Sequence, residues 1–210
     1  MTRRIENDRT ELVRSIVYRT LGRSLCYPAP EGASALATVD LPQLLDEAPL
    51  LSPLTVPALG MLEGQLRATS SSALLTQYLA AFGNETKSCS LLERDFLSLT
   101  STELAALASF REKVDVVAFP QLPPDHIVSE LALMQALSFS EAGAILSHEP
   151  SRARSTRSRE LAFMENHLGP WAPLFAERLH RCIGSGFYAI VASLVDSFVS
   201  ADFARLKASA

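Results

Sequence analysis

The chain has 210 residues, 48% of them hydrophobic, with 23 acidic against 19 basic side chains and a formal net charge of −4. That length and apolar content suffice for a proper core and exclude a long disordered span, and the negative balance argues against general nucleic-acid binding. The charge is also uneven: residues 1–25 carry six basic and three acidic side chains and residues 151–210 carry eight and five, but residues 26–150 carry five and fifteen. A basic ligand is drawn to that acidic middle.

Three cysteines, Cys26, Cys89 and Cys182, lie far apart with no Cys-x-x-Cys pair. A disulfide scaffold or zinc site is therefore not expected, and reduced thiols in a cytoplasmic protein fit the pattern. Cys26 ends a helix before Tyr27-Pro28 and Cys182 sits among apolar residues, so both read as buried structural thiols rather than nucleophiles. Arg3-Arg4 is followed by Glu6, Asp8 and Glu11 where a signal peptide needs an apolar region, and the uncharged stretch Cys182–Val195 is too short to span a bilayer. Neither an export signal nor a membrane anchor is expected.

In chain order, residues 8–25 form a helix with Val13, Ile16, Val17, Leu21 and Leu25 on one face, ended by Tyr27-Pro28. Residues 33–55, broken by Pro42, Pro49 and Pro53, read as short turns and loop. Thr55 and Pro57 open a helix to about Ala68, and Ser70–Ser72 open the next, with Leu74, Leu75, Tyr78, Leu79 and Phe82 facing inward until Gly83 stops it. A polar loop follows, then two capping boxes, Ser90-Leu91-Leu92-Glu93 and Thr100-Ser101-Thr102-Glu103, which predict helices over 91–98 and 102–115. Phe119–Pro124 connects to a central helix that reaches about Phe139, and Glu141–His148 adds a short one. The run Ser151–Arg159 holds four arginines; basic side chains oppose the dipole at a helix start, so most of it reads as loop, either a solvated hinge within 140–158 or a contact for a phosphate-bearing ligand. Helices follow over Glu160–Leu168, Trp171–Cys182 and Phe187–Leu206, separated by Gly169-Pro170 and by Gly184 and Gly186. Strand-like alternation and fixed repeats are absent, so the expected fold is all-α: one domain over 1–210, a bundle of roughly ten helices.

The polar stretch that stands out is Pro123-Pro124-Asp125-His126-Ile127-Val128-Ser129-Glu130. The prolines mark a helix start, and Ile127, Leu131, Met134 and Leu137 give that helix one buried face. Asp125 and His126 lie at its positive end, where free N–H groups favour a carboxylate and hold an imidazole neutral, and Glu130 falls one turn after His126. Two readings stand side by side: a polar site on a rigid element, or a cap, a satisfied histidine and a carboxylate edging an apolar stripe. Gly-x-Ser-x-Gly, a phosphate-binding glycine loop and G-x-G-x-x-G are all missing, and the histidines at 126, 148, 167 and 180 form no i, i+4 pair. No nucleophile, metal cluster or cofactor motif accompanies Asp125, His126 and Glu130, so an enzyme is the weaker hypothesis and no cofactor or metal is expected.

Tyr78-Leu79-Ala80-Ala81-Phe82-Gly83, Cys89-Ser90-Leu91-Leu92-Glu93-Arg94-Asp95-Phe96 and Pro124-Asp125-His126-Ile127-Val128-Ser129-Glu130-Leu131 together resemble the TorD/DmsD-type redox-enzyme maturation chaperones, with His167-Leu168-Gly169-Pro170-Trp171 and Phe187-Tyr188-Ala189 matching that family's later helices. The resemblance runs from Tyr18 to Asp202, and the Pro-Asp-His segment followed four residues on by Glu-Leu is its most specific part. Phe96 stands where many relatives carry tyrosine, and the 33–57 region is unusually rich in proline. What the resemblance implies is a non-enzymatic, cytoplasmic, all-helical chaperone. Its partner would be the twin-arginine signal peptide and apo-form of a dimethyl-sulfoxide-reductase-type molybdoenzyme, held back from export until the molybdopterin cofactor is inserted. Relatives have been associated with weak guanine-nucleotide binding and with domain-swapped dimers; neither is assigned to this chain.

Such a peptide offers two guanidinium groups and an apolar segment, and so needs carboxylates beside a hydrophobic groove. Glu93, Asp95, Asp125 and Glu130 are the candidate carboxylates, and Tyr78, Phe96, Pro124 and His126 complete the candidate peptide-binding set. The alternatives are a helical adaptor without peptide specificity and a small acid–base enzyme using Asp125, His126 and Glu130.

Overall fold

The computed structural model describes residues 2–28, 55–83, 89–114 and 122–209, the first seven of these as helix backbone only. The readings for 33–54 and for parts of the loops at 84–88 and 115–121 lie outside the described residues. Within them the chain is all-α, one domain of nine helices: α1 Thr2–Ser24, α2 Thr55–Ala68, α3 Ser71–Phe82, α4 Arg94–Leu97, α5 Ser101–Glu112, α6 Ile127–Leu146, α7 Pro150–Asn166, α8 Leu168–Ile183 and α9 Phe187–Ala208.

Local chemistry explains most of the boundaries. Ser70 caps α3 by accepting from Ala73 N–H, and Gly83 closes it through a bond from its N–H to Leu79 O. Thr100 and Glu103 form a complete capping box at the start of α5. Gly186, at φ 104°, gives α9 its start: a side chain there would meet Gln77 Oε1, which itself accepts from Phe187 N–H and so caps α9 from α3.

α6 is the hub, packed against α1 on one side and α7 on another, while α9 packs against α8 and α2. Every residue from Ile127 to Met134 is buried, so the expectation of one buried face is corrected: helices surround the first two turns of α6. Trp171, Tyr18, Tyr188, Phe163, Phe175, Phe187 and Phe198 fill the space between the helices. α9 is long and apolar enough to cross a membrane by length and composition, but half of its residues are buried in this core.

Three boundaries differ from expectation. α6 continues to Leu146 and absorbs the separate helix predicted at 141–148, because Ser138 satisfies its hydroxyl on Met134 O without leaving the helix. The arginine run is helix rather than loop: Pro150 starts α7, and Ala153, Thr156, Glu160, Phe163 and Met164 form a buried stripe that outweighs the unfavourable dipole. The connection between these helices is Ser147–Glu149, with His148 at φ 60°. The later break falls at His167 rather than at Gly169-Pro170, since proline is tolerated in the first turn of α8. Inward-facing Leu79 is also corrected, being 47% exposed, and Cys182 is exposed rather than buried.

Candidate functional site

The predicted helix over 91–98 is replaced by an extended segment and a single turn. Leu92 pairs with His126 in an isolated antiparallel bridge, held by bonds from Glu93 N–H to Asp125 O (2.9 Å) and from Ile127 N–H to Leu91 O (2.9 Å). This bridge brings Glu93, Arg94, Asp95 and Phe96 against the start of α6. The first capping box does not form. Glu93 turns inward, and Ser90 instead accepts from Leu92 N–H and donates to Asp95.

His126, not Asp125, caps α6: its Nδ1 accepts from Val128 N–H at 3.2 Å, leaving the proton on Nε2. Burial pushes the imidazole down to about 4 against the opposing pull of Asp125, so the ring is neutral. Asp125 is fully buried and grips Arg94 as a fork, with Nε to Oδ2 at 2.6 Å and Nη2 to Oδ1 at 2.5 Å. The Arg94 side chain is 38% exposed, so this pair has its carboxylate in the protein and its guanidinium at the surface.

Beneath it, Glu93 and Glu130 are both buried. Glu130 Oε2 accepts from Trp171 Nε1 (2.9 Å), and its other oxygen has no hydrogen-bond partner among the described residues. Burial first, and Glu93 second, push the Glu130 carboxyl well above the usual range. His167 Nδ1 lies 3.2 and 3.3 Å from the two Glu93 oxygens and approaches from the other side.

Of the four candidate carboxylates, then, Asp95 reaches the surface, while Glu93, Asp125 and Glu130 lie beneath it, where an accessible groove lined by all four was expected. Pro124, His126 and Phe96 are half-buried beside Asp125 and Asp95. Phe96 packs on Trp171 and Phe175, and the exposed Arg178 places its guanidinium carbon 4.9 Å from the Phe96 ring centre. Tyr78 stands in a different aromatic cluster, with Tyr27, Phe82 and Tyr188. Sequence reasoning missed Arg94, Arg178, His167 and Trp171 as members of the site. Only the run Glu93-Arg94-Asp95 hinted at Arg94, because its partner is 31 residues away.

A second buried polar cluster joins α1, α6, α7 and α9. Arg14, fully buried, bonds Asp202 through Nε (2.6 Å) and Nη2 (2.8 Å), Glu160 through Nη2 (2.5 Å), and Glu11. Arg157 pairs with Glu141, Arg205 with Glu11 and Asp202, and the Tyr18 hydroxyl donates to Asp202 at 2.7 Å. Glu11, Glu141 and Glu160 offer oxygens within 4.8 Å of one another, a spacing suited to a metal ion, but the Arg14 guanidinium stands among them and supplies the positive charge. A cleft of about 230 Å³ lies at the far end of α6, lined by Ile145, His148, Pro150, Arg154 and Arg157.

The family described as nitrate reductase delta subunit matches residues 42–177, a stretch that carries Tyr78 and every member of the Asp125 cluster named above except Arg178. The chain belongs to this family of redox-enzyme maturation chaperones. A comparison with the curated proteins gave no match.

Proposed function

We propose that this protein binds the twin-arginine signal peptide and the apo-form of a dimethyl-sulfoxide-reductase-type molybdoenzyme in the cytoplasm, and delays export until the molybdopterin cofactor is in place. The observation that carries the reading is the arrangement at the start of α6: a forked carboxylate–guanidinium pair at the rim, an exposed carboxylate at Asp95, and apolar surface from Phe96 and Pro124. Carboxylates orient guanidinium groups through paired, charge-assisted bonds, and burial of the peptide's apolar segment supplies most of the affinity. Neutral His126 and the bridge to Leu92 hold Asp125 rigidly, so the site is formed before the peptide arrives.

The test is a binding titration with a synthetic peptide carrying Arg-Arg followed by an apolar stretch. Replacing Asp125 by Asn together with His126 by Ala should weaken binding by at least about tenfold, the loss of one charge-assisted pair. Unchanged affinity in a folded double variant would remove Asp125 and His126 from the peptide site.

A further inference from the structure

We infer that Arg94 and Arg178 fill, in the peptide-free chain, the places that an incoming peptide's guanidinium groups take, so that the site loads its ligand by exchanging its own arginines for the partner's. This inference rests on the peptide-binding reading above and adds how the site is kept before binding and what it selects. Asp125 is fully buried, and its carboxylate is already forked by Arg94, with the Arg94 backbone N–H 3.4 Å from Oδ2 as well. Two residues further along the same turn, the Phe96 ring is already covered by the Arg178 guanidinium. A carboxylate fork and an aromatic face are the two contacts that a guanidinium group makes best, and in this chain both hold arginines of its own.

Both arginines are placed to leave. Arg94 sits on a helix of four residues with its side chain 38% exposed, and Arg178 is exposed on α8 with no carboxylate partner among the described residues. Asp125, by contrast, cannot be left bare, since an unpaired buried carboxylate is strongly unfavourable. Exchange meets that condition: one guanidinium enters as another swings into water, and the buried charge stays paired throughout. A lysine ammonium is a point charge that cannot reproduce the fork, so the exchange favours arginine over lysine in the partner. Because the chain's own arginines compete, the peptide's arginines contribute only part of their bond energy to the net affinity, and its apolar segment contributes most of it.

The experiment compares the Arg-Arg peptide with a Lys-Lys counterpart against the full chain and against Arg94→Gln, Arg178→Gln, the double variant and Arg94→Lys, with the folded fraction of each followed by far-UV circular dichroism. Removing the internal competitor raises the fraction of chain ready to bind, so the double variant should take the Arg-Arg peptide about tenfold more tightly, with a much smaller gain for Lys-Lys. Should Arg94→Gln fail to fold around its bare carboxylate, Arg94→Lys and Arg178→Gln carry the test, each with a smaller gain in the same direction. Equal or weaker binding by folded variants, beside clear binding by the unmodified chain, would overturn the exchange and leave the peptide site standing. No binding of either peptide to the unmodified chain would overturn the peptide-site reading itself, and the exchange with it.

Discussion

Arg14 and Arg94 each neutralise buried carboxylates, yet the Arg14 side chain has no solvent exposure and the Arg94 side chain is 38% exposed. The Arg14 cluster is closed: four helices contribute to it, and Asp202 lies 188 residues from Arg14. Burial pushes the Asp202 carboxyl up, but Arg14, Arg205 and the Tyr18 hydroxyl together bring it below the usual range. The Arg94 cluster is open at one edge, with Glu93 and Glu130 buried beneath and a guanidinium that water can reach. The same pair of chemical groups therefore acts as a rivet in one place and as a replaceable stopper in the other, and access to solvent makes the difference.

Removing each arginine separates the two clusters most directly. Arg14→Met leaves Glu160 buried without its guanidinium and Glu11 and Asp202 with Arg205 alone for a cation, and should cost about 3–5 kcal/mol in urea unfolding. Arg94→Gln should cost less, since it takes a guanidinium from one buried carboxylate where Arg14→Met takes one from three; equal losses would mean that the two clusters do not differ in kind.

Opposite responses to pH are the next effect. Burial pushes Glu160 up to about 8, with Glu141 and Glu11 adding to the rise and Arg14 opposing it. The folded chain therefore holds a proton there that the unfolded chain has released above about 4.5. Its stabilising contribution is complete at low pH and fades as pH rises through about 8. His126, held down to about 4, works the other way: stability falls as pH drops from 6.5 towards 4, because the unfolded imidazole takes up a proton first. Unfolding midpoints measured across this range should lose their alkaline slope in Glu160→Gln and their acid slope in His126→Asn. Slopes unchanged in both variants would contradict the assignment.

Two smaller changes sharpen the account of the open cluster. Trp171→Phe removes the indole N–H from Glu130 and should cost about 1–3 kcal/mol by calorimetry. Glu130→Gln should change stability by less than about 1 kcal/mol, because burial disfavours the charged carboxylate and an amide oxygen still accepts from Trp171. A large loss in Glu130→Gln would show that Glu130 is ionised.

Much of the site neighbourhood was legible in sequence, because Pro124, Asp125, His126 and Glu130 are contiguous and Glu93, Asp95 and Phe96 form a second short run. Their relative depth was not. Ser90 and Glu93 have the spacing of a capping box, and so do Thr100 and Glu103, but only the second pair forms one. The first is overruled by His167 and by the bridge to His126, which draw Glu93 inward.

Taken alone, the order of residues determined the all-α class, the starts of α3 and α5, the stop at Gly83 and the apolar face of α1, since caps, prolines and helical periodicity act within a few residues of themselves. Only the tertiary structure decided that the arginine run is helical, that Arg14 is buried and that Asp125 is already forked by Arg94. Those outcomes depend on partners 16 to 188 residues away, and a buried charge is tolerable only where packing delivers its counter-charge.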